Sequence, residues 1–420
     1  MSRGVLALTD ELAERLRRGM QVPDANEAAR VRKLRVVVLS AVFSAVGGAE
    51  HVATELVIRL DGSRFERTAC STRSRLVPSV DDELVAAGVR LLRIDRRSRR
   101  ELLAWWPLIS LLRRERIDIL PAHGSSNVLG TVLARLARVP VVITHVHTGR
   151  FDDGPIGVTR LRRRVATLVL SRWADAVLAV SDGVRRRLIE HEGCDPNVIR
   201  TFPNGVPALP DSADDRVRRE LGIPPDAPVI GTVCVLRPEK GLDVLVESSA
   251  ILSKVFPRLK VLIAGIGSEE ARLRAMVAEA SLEDTVLFLG ARRDVPHVLA
   301  SLDVALCTSD WEGMPISVLE YMAAGKAVVS TRVGGIPDLL ENGLEGLLVD
   351  RRDSEAVAEA VARLLRDDVL REQLGARARE RQRRDFEVDG VVRRLEHCYE
   401  TLFATTHRAR RERLGGRQRR

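Results

Sequence analysis

The sequence predicts an α/β protein of two doubly wound, Rossmann-like domains facing a cleft, with a C-terminal helix crossing back to the first domain. Three observations lead there. The 420 residues exceed what one ordinary core holds and suit two domains of similar size. Short apolar runs alternate with helix-length segments, the pattern of a parallel sheet with crossover helices. That alternation breaks once, at the turn-rich Phe202-Pro203-Asn204-Gly205-Val206-Pro207-Ala208-Leu209-Pro210, and then restarts. The divisions are 1–32 for an N-terminal extension, 33–208 and 209–385 for the two domains, 386–406 for the crossing-back helix and 407–420 for a basic tail.

Taken in order, Leu34 to Ser40 is a near-continuous apolar run, the mark of a strand buried on both faces. Val46-Gly47-Gly48-Ala49-Glu50 follows and opens a helix, and paired glycines there let backbone approach a ligand closely. Strands are expected at Arg67–Ser71, Val89–Ile94, Ile117–Ala122, Val139–Thr144 and Ala176–Ser181. His123-Gly124-Ser125-Ser126-Asn127 and His145-Val146-His147-Thr148-Gly149 stand at two strand ends, where such sheets bind ligands. A histidine there is more often packed or capping than reactive, but two at neighbouring ends strengthen the functional reading. In the second half, strands are expected at Val229–Val235, Leu259–Ala264, Val286–Leu289, Asp303–Cys307, Ala327–Ser330 and Gly346–Val349. Gly265-Ile266-Gly267 lacks the third glycine of a dinucleotide fingerprint, so it does not indicate NAD.

Composition excludes several classes. No apolar run approaches the ~20 residues of a membrane span, and the N-terminus, with Asp10, Glu11 and Glu14, is not a signal peptide. Five scattered cysteines lack metal-ligand spacing and read as thiols of a reducing cytoplasm. A net charge of +9 implies an anionic partner: phosphate ligands, an anionic membrane face or nucleic acid. Nucleic acid is the weakest of these, because only 3% of residues are aromatic and no recognised binding module is present.

The densest chemistry lies in Asp310-Trp311-Glu312-Gly313-Met314-Pro315-Ile316-Ser317-Val318-Leu319-Glu320. A strand precedes it and a helix follows, with Pro315 expected at the first helical position. The free N–H groups of that helix start suit a diphosphate. Carboxylates flanking it suit sugar hydroxyls, which donate hydrogen bonds. The plainer alternative makes Glu312 a surface cap favoured by the helix dipole and Glu320 a solvated side chain.

Together these segments resemble a retaining GT-B glycosyltransferase of glycosyltransferase family 4, over about residues 33–400. The resemblance rests on Gly47-Gly48-Ala49-Glu50, His145-Val146-His147-Thr148, Pro203-Asn204-Gly205-Val206, Arg237-Pro238-Glu239-Lys240-Gly241, Gly265-Ile266-Gly267-Ser268-Glu269, and Glu312 and Glu320 followed by Gly325 and Gly334-Gly335-Ile336-Pro337. It implies that the C-terminal domain holds a nucleotide-diphosphate sugar, UDP- or GDP-linked, and the N-terminal domain a saccharide or lipid-linked acceptor. Glu320 would bind the nucleotide ribose and Glu312 the donor sugar's hydroxyls. Gly313, Met314, Pro315, Ile316 and Ser317 would hold the diphosphate, and Lys240 would neutralise leaving-group charge. Gly47 and Gly48 would close over the diphosphate, and Asn204, Gly265 and Gly267 complete the substrate-binding set through their motifs. The strand-end histidine of the family is matched by His147, with His145 as the alternative.

The resemblance has one gap: family members usually carry a basic residue where this chain has Val235, leaving Arg237 as the nearest cation to join the catalytic group. No Asp-x-Asp occurs, so neither metal nor other cofactor is expected. Retention without a carboxylate nucleophile implies front-face attack. Basic clusters at Arg96-Arg97-Ser98-Arg99-Arg100 and Arg113-Arg114 flank a Trp105-Trp106 element that reads first as an ordinary helix packed on the sheet with arginines on its rim. The alternative, an element lying on an anionic membrane, would make this a cytoplasmic enzyme peripheral on the membrane in cell-envelope polysaccharide or glycolipid synthesis. Two other readings stay open: a nucleotide-sugar epimerase of the same fold, which would turn over without acceptor, and a nucleotide-sugar-binding protein without turnover.

Overall fold

The computed structural model describes residues 32–44, 48–73, 80–94, 105–148, 156–209 and 214–417. Gly47, the extension before residue 32 and the Arg96–Arg100 cluster lie outside the described residues.

The first sheet holds β1 (Leu34–Ser40), β2 (Phe65–Ser71), β3 (Arg90–Arg93), β4 (Ile119–His123), β5 (Val141–Val146), β6 (Ala176–Ala179) and β7 (Ile199–Thr201). Its order is β3-β2-β1-β4-β5-β6-β7, parallel throughout. The second holds β8 (Val229–Val233), β9 (Lys260–Ala264), β10 (Val286–Gly290), β11 (Val304–Cys307), β12 (Ala327–Thr331) and β13 (Leu347–Val349), in the order β10-β9-β8-β11-β12-β13, again parallel. The near-continuous apolar runs are explained by burial on both faces: Val36 to Leu39, and all of β4, β5, β6 and β11, are sequestered. β7 was not anticipated. Only Ile199 of its three residues is buried, so this edge strand carries almost no apolar signal.

Strand order reverses between β1 and β4 in one sheet and between β8 and β11 in the other. Ligand crevices open at the carboxyl ends of strands at such reversals. These two switch points supply the walls of the site described below.

The chain passes between the domains twice, and the two passes are bonded to each other. Val206 N donates to Phe386 O (3.1 Å), Val388 N donates to Val206 O (3.2 Å), and Gln382 Nε2 also reaches Val206 O (3.0 Å). Gly205 has to be glycine at this crossing: a Cβ there would lie 2.9 Å from Val388 Cα and 2.8 Å from Val391. After the crossing, the helix Val388–Arg417 buries Val391, Leu395 and Tyr399 against the first domain, with Tyr399 edge-on to Phe65. The helix does not stop at 406 as the sequence suggested; it runs on through the basic segment to Arg417. Extending an existing helix needs no new nucleus, so a charged but proline-free segment continues it.

Candidate active site

The C-terminal wall is built where β8 and β11 end. Leaving β11, the chain turns through residues 308–315 into the helix Ile316–Ala323. Pro315 is the N-cap in extended conformation, not the first helical residue, and its carbonyl accepts from Leu319 N (3.3 Å). No side chain caps this end, so the first-turn N–H groups of Ile316, Ser317 and Val318 are open to an anion.

Glu312, only 7% exposed, is held in front of that helix. Its Oε1 accepts from Lys240 Nζ (2.6 Å) and from Ser309 Oγ (2.6 Å). Lys240 ends the short 3₁₀ turn Pro238–Lys240 after β8, and the loops are drawn together by backbone. Gly241 (φ 57°) packs so closely that a Cβ would lie 2.3 Å from Thr308 O, and Asp310 N donates to Glu239 O (2.9 Å). Burial opposes the Lys240 charge, but the adjacent Glu312 carboxylate outweighs it and lifts the ammonium above its ordinary range. Lys240, Ser309, Glu312 and Ser317 line one small cavity with Thr232, Cys234 and Cys307.

Glu320 lies one turn into the helix. It is half-buried, and burial alone raises its carboxyl to about 7, with no protein donor or cation offsetting the cost. A carboxylate kept in that condition is suited to ligand hydroxyls. Arg237 does not join this group: its side chain is 62% exposed and lies 3.9 Å from Glu239. Solvent and a neighbouring carboxylate satisfy it outside the cavity. Gly265 and Gly267 line the wall differently from what their motif suggested, by pressing on the loop that leads to Lys240. Cβ atoms there would lie 1.8 Å from Cys234 O and 2.2 Å from Leu236 O.

The N-terminal wall is uncharged. His123 and His145 are register partners at the ends of β4 and β5, with rings stacked 4.2 Å apart. His123 Nδ1 and His147 Nε2 share a hydrogen bond (3.2 Å). Asn127 Nδ2 donates to His145 O (2.9 Å), while His145 Nε2 is buried without a partner. Burial depresses all three imidazoles, His147 to about 4 and His145 to about 3, so the stack is neutral near pH 7. Of the two histidines left open by the sequence, His147 is the one whose backbone meets the opposite wall, its carbonyl packed on Gly313. Gly48 is exposed at the start of the helix Ala49–Arg59, with open space beside it.

The walls meet through backbone. A Cβ on Gly313 would lie 1.8 Å from His147 O, one on Gly183 2.3 Å from Gly334 O, and one on Gly335 2.6 Å from the Ser181 side chain. Asn204 ties the domains by donating Nδ2 to Met314 O (3.2 Å) rather than lying free in the cleft. Asp338 Oδ2 accepts from Asp182 N (2.7 Å) and Gly183 N (3.3 Å), capping a helix of the other domain. Ser309 and Asp338 were not singled out from sequence, and His123 was marked at its strand end without being assigned a role in the site. His123 stood at a recognised strand end, whereas isolated serines and aspartates give no such signal.

Residues 46–208 match the family described as Glycosyltransferase Family 4, and residues 213–381 match Glycosyl transferases group 1. The chain is 31% identical over 318 residues to the D-inositol 3-phosphate glycosyltransferase of Corynebacterium glutamicum (strain R), covering 71% of this chain and 76% of that one. It is 26% identical over 336 residues to the UDP-Gal:alpha-D-GlcNAc-diphosphoundecaprenol alpha-1,3-galactosyltransferase of Escherichia coli, covering 77% and 86%. Among solved structures, Anabaena Alr3699/HepE in complex with UDP-glucose has the same fold, with a TM-score of 0.76 at 20% identity over 88% of this chain and 100% of that one.

Proposed function

The chain belongs to the family 4 glycosyltransferases of GT-B fold, and from that premise we propose that it moves a hexose from a UDP- or GDP-linked sugar to an acceptor hydroxyl, with retention and without a metal. The observation that carries this reading is the juxtaposition of the Lys240–Glu312 pair, the uncapped start of the helix Ile316–Ala323 and the unpartnered Glu320. A nucleotide-diphosphate sugar presents matching groups: ribose hydroxyls for Glu320, a diphosphate for the helix start and Lys240, and sugar hydroxyls for Glu312. Lys240 spends one of three N–H donors on Glu312, leaving two for the phosphate.

In this mechanism the acceptor oxygen bonds to the anomeric carbon on the face from which the diphosphate departs, and the acceptor proton passes to the leaving phosphate oxygen. Lys240 and the helix start stabilise the charge that builds there, the role a metal plays elsewhere. The neutral histidine wall fits a neutral hydroxyl nucleophile. The Escherichia coli relative's name records a UDP-galactose donor and a lipid-linked acceptor, which supports testing UDP and polyprenyl-diphosphate saccharides first.

The test is thermal stabilisation by UDP, GDP and ADP and their sugar conjugates, with EDTA present and Glu320→Ala alongside. A ligand at a hundredfold excess over its Kd adds roughly 2.7 kcal/mol. Stabilisation by one nucleotide series, lost in Glu320→Ala, is the expected result; no response to any nucleotide overturns the reading. Turnover that EDTA abolishes, or a product of inverted anomeric configuration by NMR, removes the metal-independent or the retaining part separately.

A further inference from the structure

The Lys240–Glu312 pair joins two loops that leave different strands, so the pair forms only if the spacing of those loops is fixed. Part of that spacing is set by backbone: Asp310 N donates to Glu239 O (2.9 Å), and Thr308 Oγ1 donates to Lys240 O (3.2 Å). The rest comes from a third loop. Arg352, in the turn between β13 and the helix Ser354–Arg366, reaches back past β12 to both site loops.

Its guanidinium grips both oxygens of Asp310. Nε donates to Oδ1 (2.6 Å) and Nη2 to Oδ2, while Nη1 donates to Asp243 Oδ2 (2.7 Å). Asp310 lies just before Glu312 in the chain, and Asp243 just after Lys240. One planar side chain therefore spans the segments that carry the two members of the pair, and its fork fixes distance and angle together. Asp243 is held in addition by Arg272 Nη2 (3.3 Å), whose Nε donates to Glu269 (2.8 Å).

The backbone of Arg352 is left-handed (φ 63°), which residues with a Cβ adopt at a cost. Among the described residues Arg116, Arg138 and Ser281 share that conformation, but each follows a helix on the way to a strand, where a left-handed residue is ordinary. Arg352 instead follows a strand, on the side of the sheet where the site lies. Asp353 behind it is pinned as the cap of the next helix, accepting from Ala356 N (2.8 Å). Glycine would fit this turn more easily. Stability does not account for arginine here, because its side chain is 46% exposed and partly exposed ion pairs contribute little.

We propose that Arg352 is a positioning residue for the donor sugar. By clamping Asp310 to Asp243 it holds the loop of Glu312 against the loop of Lys240, and so sets the Glu312 carboxylate where the sugar's hydroxyls reach it. This rests on the donor-site reading given above. The clamp divides that site in two. The helix start is anchored separately, through Asn204 Nδ2 on Met314 O, so the groups that take the diphosphate and ribose keep their places without Arg352.

The experiment is calorimetric titration of the full chain with UDP, GDP, UDP-glucose, UDP-galactose and GDP-mannose. The parent is compared with Arg352→Gly, which suits the left-handed turn and removes only the side chain. Affinity for the nucleotide sugar that the parent binds is expected to fall about tenfold, and affinity for the matching bare diphosphate by less than about twofold, at an undiminished melting temperature. Asp310→Ala lowers sugar affinity similarly, and the double variant loses no more than either single one, because the two residues make one contact. Equal sugar affinities in parent and Arg352→Gly overturn the proposal. A uniform loss also overturns it: if the bare diphosphate weakens as much as its sugar conjugate, or the melting temperature drops, Arg352 supports the fold and not the sugar. A parent that binds none of the five probes overturns the donor-site reading and the proposal with it, whereas binding by the parent separates the two failures.

Discussion

The two walls of the cleft are built from the same kind of sheet ending but solve opposite electrostatic problems. On the C-terminal wall a half-buried ammonium and a buried carboxylate hold each other charged, with a second, unpartnered carboxylate one turn into the helix that follows. On the N-terminal wall three stacked imidazoles are held neutral. Identical architecture thus separates a wall that manages charge from one that accommodates an uncharged nucleophile. What distinguishes them is the loop after the strand: one brings Lys240 and Glu312 together across a glycine, the other stacks rings in register.

The largest test of that contrast removes the charge. Lys240→Met is expected to lower turnover on the order of 10²–10³-fold and, by stranding buried Glu312, to cost roughly 3–5 kcal/mol. Adding Glu312→Gln restores stability in thermal melts but not activity in a transfer assay. Recovery of both would mean the pair is structural only.

Next, Gly313→Ala forces His147 O and Gly313 apart. A cost of about 1–3 kcal/mol is expected, with a larger radius of gyration by small-angle scattering and retained nucleotide binding. Unchanged scattering with full activity would mean this contact does not set the spacing of the walls.

The two walls also respond oppositely to pH. The histidines have folded pKa values below their unfolded value, so the folded state forgoes protons that the unfolded chain binds. Stability is expected to fall between about pH 6.5 and 4, by up to roughly 1.4 kcal/mol per unit per histidine, and a flatter decline in His123→Phe melts checks it. Glu320 runs the other way: raised to about 7, it favours the empty protein when protonated. Ligand hydroxyls favour its charged form, so nucleotide affinity measured by calorimetry rises between about pH 6 and 8, and Glu320→Gln removes the slope. The smallest effect is expected from Val235→Arg, which restores a cation at an exposed position and tightens nucleotide binding about fivefold.

Most of the strand framework was legible because buried parallel strands are written as apolar runs; β7, one buried residue long, was not. Glu312, Glu320 and Lys240 were legible because a loop and a helix start place them by local chain geometry. Arg237 lies outward, beside Glu239, because a turn residue's direction depends on solvent and its neighbours rather than on spacing. Gly265 and Gly267 likewise looked like ligand glycines, although what they accommodate is another segment's carbonyl oxygen. Contacts between sequence-distant backbones leave no periodicity to read, and Asp338 capping a helix of the other domain shows the same limit.

The paired crossing at Val206 and residues 386–388 has a mechanical consequence. A single tether would let one lobe swing, twist and slide relative to the other. Two adjacent passes hydrogen-bonded to each other behave as one doubled strap, which resists twist and sliding of the lobes. Nicking the chain at either crossing is therefore expected to leave the lobes attached but their alignment lost.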